Sequence, residues 1–141
     1  MPGKFNYEKM RKYPHMIGED TDVWNRFMLR FPNRFDTVDY DIHVGHGAKI
    51  FDIEDVKSQN YWTQLTKKRI DVIGYKNSTI TIIEVKNRVG LYTLGQILGY
   101  RFLYLREYPE QLNVKTLILC SKIDQDDMDL LSHYNIEFLQ L

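Results

Sequence analysis

The segment Arg69–Tyr75 has the sequence RIDVIGY, and the segment Ile80–Lys86 has the sequence ITIIEVK. Both segments are rich in β-branched residues, which favour strands. The four polar residues KNST at positions 76–79 separate them. Two such runs joined by a short polar turn predict a β-hairpin. We expect the remaining elements of the chain to be arranged around this hairpin.

The register of the hairpin places two acids opposite each other. If the turn centres on Asn77 and Ser78, Asp71 faces Glu84 across the two strands. Because side chains alternate along a strand, Lys86 lies on the same face as these carboxyls. Directly opposed side chains have Cβ atoms about 5 Å apart, and like charges at that distance are destabilising. A bound divalent cation is the simplest gain that offsets this repulsion. The other face of the hairpin is apolar and predicts a contact with the core: Ile70, Val72, Thr81, Ile83 and Val85.

Composition predicts one soluble domain with a modest core. The chain has 141 residues, of which 43% are hydrophobic and 27% charged, as in ordinary globular proteins. Its formal net charge is zero, so any nucleic-acid site depends on a local basic patch rather than on a global field. Cys120 is the one cysteine, which excludes an intramolecular disulfide and a cysteine-rich zinc site. No signal-peptide pattern and no membrane-spanning run is present, so we expect a cytoplasmic protein without a membrane contact.

The composition of the chain changes near residue 18. Residues 1–18 are basic and aromatic, and we interpret them as an N-terminal arm. Such an arm either contacts phosphate or is a partly ordered terminus. Residues 19–141 are predicted to form a single α/β domain.

A helix and a strand are predicted between the arm and the hairpin. Asp20 or Thr21 is suited to cap the helix, which ends before Pro32 because the residue before a proline avoids the helical region. The alternating residues 38–44 predict a strand. Residues 50–63 predict a short strand over 50–53, followed by a short helix or a loop.

The chain after the hairpin alternates between helices and strands. Helices are predicted over residues 91–106 and 124–133, and strands over 114–120 and 136–141. A helix that connects two neighbouring strands makes a crossover, so the strand after the first of these helices is expected to run parallel to the hairpin. The order predicts an α/β fold with a mixed central β-sheet flanked by helices.

The helix at 91–106 has two notable spacings. Its residues are apolar on most sides, which predicts that it is largely buried. Gly95 and Gly99 are four residues apart and permit close packing against a sheet or another helix, at a cost of about 1 kcal/mol each relative to alanine. Gln96 and Tyr100 are also four apart and therefore lie on one face.

The opposed acids suit a specific kind of chemistry. Two carboxylates on neighbouring strands are ligands for Mg²⁺ or Mn²⁺, and the backbone carbonyl of Val85 is a candidate third ligand. Lys86 lies where its ammonium group would orient an attacking water or offset the charge of a phosphoryl transition state.

The pattern of Asp71, twelve intervening residues and then Glu84-Val85-Lys86 resembles the signature of the PD-(D/E)XK nuclease superfamily. Gln96 and Tyr100 are similar to the QxxxY element of RecB-type nuclease domains, as found in small phage or mobile-element nucleases. The resemblance implies a restriction-endonuclease-like core and metal-dependent hydrolysis of phosphodiester bonds in DNA. It also implies that Asp71 and Glu84 bind the metal, that Lys86 is catalytic, and that Gln96 and Tyr100 position the site or the DNA. If the protein is phage-encoded, the expected compartment is the host cytoplasm.

The sequence departs from this family pattern at two places. Ile70 occupies the position where the family usually has a proline before the aspartate. The family also usually supplies an acid from its first helix. Glu19 is the best candidate for that acid, and Asp20 and Asp22 compete with it.

Basic residues close to the pattern in sequence are candidates for contacts with nucleic-acid phosphates, which would neutralise charge without sequence selectivity. The alternative for each of them is a solvated surface charge. They are Lys67, Lys68, Arg69, Arg88 and Arg101.

Two other functional interpretations stay open at this stage. The chain could be a catalytically inactive DNA-binding or assembly module of the same fold, or a structural α/β protein with no nucleic-acid role. The sequence leaves undecided DNA against RNA, endonuclease against exonuclease action, single-stranded, duplex or branched substrates, and a monomer against a homodimer or larger oligomer.

Overall fold

The structure, a computed structural model, describes residues 3–47, 56–60 and 67–141. The predicted strand at 50–53 lies outside these residues. Of the segment predicted as a short helix or a loop, residues 56–60 are described and are helical. The elements with defined bounds are β1 (Phe5–Asn6), α1 (Gly18–Arg30), β2 (Thr37–Val44), β3 (Lys68–Lys76), β4 (Thr79–Arg88), α2 (Leu91–Glu107), β5 (Val114–Lys122), α3 (Gln125–His133) and β6 (Glu137–Gln140).

The strands form one six-stranded sheet in the order β1-β2-β3-β4-β5-β6. The pairs β1–β2, β2–β3 and β3–β4 are antiparallel, whereas the pairs β4–β5 and β5–β6 are parallel. Tyr75 pairs with Ile80 and Lys76 with Thr79, so the predicted turn register is confirmed. The parallel crossover through α2 is confirmed by the pairing of β4 with β5. The predicted mixed α/β architecture is therefore confirmed.

Two apolar clusters cover the two faces of the sheet. One cluster packs α1, through Val23, Trp24 and Phe27, onto residues of β3, β4 and β5. The other packs α2 and α3, through Ile97 and Leu131, onto the opposite face. The sheet is thus buried on both sides at its centre, which explains the nearly continuous apolar runs of β4 and β5.

Part of the segment predicted as a separate basic arm belongs to the folded domain. Phe5–Asn6 pairs with Val38 and Thr37 at the edge of the sheet. Tyr13 and Met16 are buried in the α1-side cluster, and Tyr7 packs against it. These apolar side chains attach the segment to the sheet although its composition is basic.

The first helix begins earlier than predicted. It starts at Gly18, and its N-cap is Ile17, which makes no side-chain capping hydrogen bond. Asp20, predicted as a cap, instead accepts a hydrogen bond of 2.8 Å from the backbone N–H of Asn87 at the end of β4. The carboxylate therefore connects α1 to the hairpin.

The prediction that the helix at 91–106 is largely buried is wrong. Within α2 the buried residues are Thr93, Ile97 and Tyr104, whereas Leu91 and Phe102 are 71% and 63% exposed. An alanine Cβ at Gly95 or Gly99 would meet no atom within 4 Å. These glycines therefore make no close packing contact with the described part of the chain. A helix that packs on one face of a sheet needs apolar residues only on the side that contacts the sheet. Because α2 has apolar residues on its exposed side as well, its sequence indicates more burial than the structure has.

The prediction that Ile70 shares a face with Val72 and Ile83 is also wrong. Val72 and Ile83 belong to the α1-side cluster, whereas Ile70 belongs to the α2-side cluster. The change of face occurs at Asp71, which lies opposite Asp41 in the register of β2 and β3. Asp41 has a φ of 53°, a left-handed conformation that interrupts the regular pleat.

Within the described ranges, no helix combines the length and the apolarity that crossing a lipid bilayer requires.

Candidate active site

The site lies where β3 and β4 separate. Their backbone pairing extends from the turn to Val72 and Ile83, and the next residues are Asp71 and Glu84. Asp71 Oδ2 accepts a hydrogen bond of 2.9 Å from the backbone N–H of Val85. The Asp71 side chain, rather than a backbone carbonyl of β3, thus accepts the hydrogen bond from β4. We call the point where the two strands separate, with Asp71, Glu84, Val85 and Lys86, the fork.

Glu84 is a buried carboxyl with one unsatisfied oxygen. Its side chain is 2% exposed, and its Oε1 lies 3.2 Å from the ammonium nitrogen of Lys86. Its Oε2 is buried, and no hydrogen-bond donor of the described residues reaches it. Burial and then the charge of Asp71 raise the pKa of Glu84 to about 9. Burial also raises the pKa of Asp71. Both shifts show that two negative charges are unfavourable here without a cation.

Lys86 is held in its charged form. Burial lowers the pKa of Lys86, but the charges of Glu84 and Asp71 outweigh this effect and raise it overall. The Lys86 ammonium also lies 5.6 Å from the centre of the Tyr92 ring, within the range of a cation–π contact. In this arrangement Lys86 is a hydrogen-bond donor and a positive charge rather than a base.

Gln96 and Tyr100 lie on the face of α2 that adjoins these charges. Gln96 Nε2 donates a long hydrogen bond of 3.4 Å to Tyr100 Oη. The pKa of Tyr100 is raised by burial and then by the charges of Glu84 and Asp71. Gln96 Oε1 is buried and has no hydrogen-bond partner within residues 3–47, 56–60 and 67–141. The structure thus brings the predicted residues Asp71, Glu84, Lys86, Gln96 and Tyr100 together.

Asp20 is the acid of the first helix that reaches this site. Its charge contributes to the raised pKa of Asp71, and its bond to Asn87 fixes it beside the end of β4. Glu19 is exposed at the start of α1, and so is Asp22. Asp20 is therefore better placed than the predicted candidate Glu19. In the sequence, the Asp20 side chain was equally suited to cap the helix.

The residues of the site fit a divalent cation. The buried Glu84 Oε2, which no donor of the described residues reaches, and the pKa values of Asp71 and Glu84, both raised first by burial, are what a bound cation would relieve. Asp71 and Glu84 supply the hard oxygen ligands that Mg²⁺ and Mn²⁺ prefer. In the described part of the chain no three His, Cys, Asp or Glu side chains group as a metal cage, so water and substrate oxygens would complete the coordination.

The predicted basic residues have different surroundings. Lys68 and Arg88 are exposed, and Lys67 is half-buried. Arg88 pairs in the sheet with Lys122, a basic neighbour that the linear sequence does not reveal but the parallel register does. Arg101 Nε donates to the carbonyl of Val114 at the start of β5, which lies away from the Lys86 end of the sheet.

Arg69 belongs to a small polar cluster next to Asp71. Its Nη1 lies 2.9 Å from His15 Nδ1, and its Nε lies 3.8 Å from Asp41 Oδ1. Asp41 Oδ2 lies 3.3 Å from His15 and 3.5 Å from His43. The left-handed conformation of Asp41 thus directs a carboxylate to three basic side chains on the side of the sheet that carries the site.

Sequence reasoning did not include Tyr92 in the site. Tyr92 follows β4 by a few residues and is largely exposed, which allows its ring to contact both Lys86 and a bound molecule. Its only signal in the sequence is an aromatic residue near the start of a helix, and that pattern is common.

No family model matches the chain, and no curated protein sequence matches it. Among solved structures, the chain is similar to a repair endonuclease from Pyrococcus abyssi, with a TM-score of 0.51 and 17% identity over 92% of this chain and 49% of that one. A structure of an EndoMS–dsDNA2 complex has a TM-score of 0.49 and 16% identity over 94% of this chain and 49% of that one. The chain thus spans about half the length of each. The first likeness establishes a restriction-endonuclease-like fold.

Proposed function

We propose that this protein is a metal-dependent nuclease that hydrolyses phosphodiester bonds in DNA. The observation that carries the proposal is the fork between β3 and β4. It holds Asp71 against the backbone of Val85, buries Glu84 with an unpartnered oxygen, and places Lys86 3.2 Å from Glu84. The fold likeness to a repair endonuclease supports DNA as the substrate, although a fold alone does not imply a function.

The residues take the following roles in this proposal. Asp71, Glu84 and the carbonyl of Val85 hold Mg²⁺ or Mn²⁺, and Asp20 replaces Glu19 as the contributing acid of the first helix. The metal would polarise the phosphate and lower the pKa of a bound water.

Lys86 would orient the attacking water and stabilise negative charge that develops on the phosphate oxygens. Its raised pKa suits this role because the ammonium stays charged at neutral pH. Tyr92 would hold the ammonium group from the solvent side. Gln96 and Tyr100 would fix the carboxyls from the α2 side. Lys67, Lys68, Arg69 and Arg88 would contact backbone phosphates, whereas Arg101 is the member of the predicted set that the structure does not bring to the site.

The test is cleavage of single-stranded, duplex and branched DNA with Mg²⁺ or Mn²⁺. We expect Asp71→Asn, Glu84→Gln and Lys86→Met each to lower the rate at least about 100-fold. Matched controls that keep the rate are Asp129→Asn, Glu137→Gln and Lys115→Met, all on exposed or partly exposed positions away from the fork. If the wild-type protein cuts none of the substrates, or the site variants cut as well as the controls, the proposal is wrong.

The second candidate is an inactive DNA-binding or assembly module of the same fold. The observation that favours it is the lack of a three-carboxylate group among the described residues. Mn²⁺ titration distinguishes the two. DNA binding without Mn²⁺ binding at Asp71 and Glu84 indicates the module, whereas Mn²⁺ binding that Glu84→Gln abolishes indicates the nuclease.

A further inference from the structure

A cavity of about 630 Å³ lies at the turn end of the hairpin. It opens between the β3–β4 turn and the C-terminal half of α2, and its floor includes Ile73 and Ile80. The lining extends along β3 from Tyr75 to Ile73, two residues from Asp71, and includes no residue of the fork. The cavity and the candidate active site are thus built from different residues.

Three tyrosine rings line this cavity: Tyr75, Tyr104 and Tyr108. Tyr104 lies in the last turn of α2 and Tyr108 is the C-cap residue that follows this helix, with ring centres separated by 4.8 Å and ring planes tilted by 37°. Tyr75 comes from β3. The pKa of Tyr75 is raised by burial and then by Asp39, and Tyr104 and Tyr108 add to the shift. Tyr104 is buried, Tyr75 is half-buried and Tyr108 is 40% exposed, so Tyr108 presents most of the accessible ring surface.

The charges that line the cavity are carboxylates. Asp36 and Asp39 belong to the lining, and no lysine or arginine of the described residues does. Asp36 is paired at 3.1 Å with the Lys76 ammonium, which offsets its charge. Asp39 accepts hydrogen bonds of 2.8 Å from Tyr75 Oη and from the backbone N–H of Lys4. These two donors are neutral groups, so neither of them offsets the charge of the Asp39 carboxylate.

This combination selects the class of ligand. Negatively charged groups such as phosphates are repelled by Asp39, whereas a cation gains both the carboxylate and the negative faces of the rings. A planar guanidinium stacks on aromatic rings and bonds a carboxylate in its own plane, which a lysine ammonium does not do.

We propose that this cavity binds the guanidinium group of an arginine side chain that a protein partner presents. The guanidinium plane lies against the ring of Tyr108, which is 40% exposed, and its N–H groups donate to Asp39. The proposal is independent of the proposed nuclease chemistry, since none of these residues belongs to the fork.

The probe is a capped Gly-Gly-Arg-Gly-Gly peptide, compared with the same peptide carrying citrulline, its neutral isostere, in place of arginine. Backbone amide shifts of the ¹⁵N-labelled full chain report binding and its location. We expect saturable shifts at residues 77–80 and 104–111, with the arginine peptide at least about tenfold tighter than the citrulline peptide because the charged hydrogen bond is lost. Added salt should lower the affinity of the protein for the arginine peptide.

Variants at Tyr108 distinguish the contribution of the aromatic ring to the affinity from that of side-chain size. Tyr108→Phe should keep the affinity, and Tyr108→Leu should weaken it about threefold or more by removing the ring. Tyr134→Leu, at an exposed tyrosine beside His133, should leave it unchanged. Asp39→Asn should abolish the preference for arginine over citrulline, and its asparagine can still accept from Tyr75. Equal affinity for the two peptides, no binding by the folded protein, or shifts confined to residues 84–92 would each overturn the proposal.

Discussion

Asp71 Oδ2 accepts a hydrogen bond of 2.9 Å from the backbone N–H of Val85, so the carboxylate that faces Glu84 also completes the edge of β4. One side chain thereby has a structural task and a chemical one. It satisfies a buried backbone donor, and it contributes a negative charge next to Glu84. The two tasks can be separated by substitution because an amide can perform the first but not the second.

Asp71→Asn should keep the bond to Val85 and lose the charge. We expect its free energy of unfolding in the presence of a chelator to equal or exceed that of the wild type, because the cost of burying the Asp71 charge is removed. Asp71→Ala should lower the free energy of unfolding by about 1–3 kcal/mol, since it leaves the backbone N–H of Val85 buried without a partner. Urea denaturation of both variants measures this. Equal destabilisation by the two substitutions would contradict the structural role of Oδ2.

Glu84 should make metal binding depend on pH. Its pKa is raised from 4.5 to about 9, so at neutral pH the folded protein binds a proton there that the unfolded chain has released. Without metal, the free energy of unfolding should fall as the pH rises from about 4.5 to about 9, by at most about 1.4 kcal/mol per pH unit. A metal must displace this proton, so its affinity should rise over the same window.

Calorimetry in buffers of different ionisation enthalpy checks the Glu84 prediction by counting protons released on Mn²⁺ binding at pH 7. We expect the wild type to release a proton when Mn²⁺ binds, and we expect the stability of Glu84→Gln without metal to depend less on pH than that of the wild type. A wild-type protein whose stability rises between pH 5 and pH 8 would show that Glu84 ionises normally.

The central hairpin could be predicted from the sequence because its signals are local. β-branched runs and a short polar turn determine the register, and the register determines that Asp71 faces Glu84. The parallel position of β5 follows from the length of the connection through α2. Gln96 and Tyr100 reach the site because their spacing of four places them on one helical face that packs on the same strands.

Other features depend on contacts between distant residues and have no local signal. The left-handed conformation of Asp41 and the resulting change of face at Ile70 follow from pairing between β2 and β3. Asp20 looks like a helix cap in sequence, and only the proximity of Asn87 gives its carboxylate another partner. Composition marked the first residues as a basic arm, although Tyr13 and Met16 bury enough apolar surface to join the core.

Gly74 and Gly95 differ in the space around them, so their substitution by alanine tests the packing of the fold. A Cβ at Gly74 would lie 2.6 Å from the Phe35 ring, so Gly74→Ala should destabilise the protein by about 1–3 kcal/mol through overpacking. A Cβ at Gly95 would meet nothing within 4 Å, so Gly95→Ala should stabilise it by up to about 1 kcal/mol through helix propensity. Thermal and urea unfolding measure both. A destabilising Gly95→Ala would indicate that another surface covers this face of α2.

The last prediction concerns which acid of the first helix serves the site. Asp20 Oδ1 is 2.8 Å from the backbone nitrogen of Asn87, and its charge acts on Asp71. Asp20→Asn preserves an acceptor for Asn87 but removes that charge. We expect it to lower metal-dependent DNA cleavage or Mn²⁺ affinity about 10–100-fold with little loss of stability.

Glu19→Gln is the matched control for Asp20→Asn, because it removes the adjacent charge at an exposed position of the same helix. It should leave cleavage and Mn²⁺ affinity within about twofold of the wild type, as expected for a surface substitution away from the site. The reverse result, with Glu19→Gln inactive and Asp20→Asn active, would show that α1 rotates or shifts when metal and DNA bind. Equal losses in both variants would instead indicate that the general negative field of the helix start, rather than one positioned carboxylate, supports the metal.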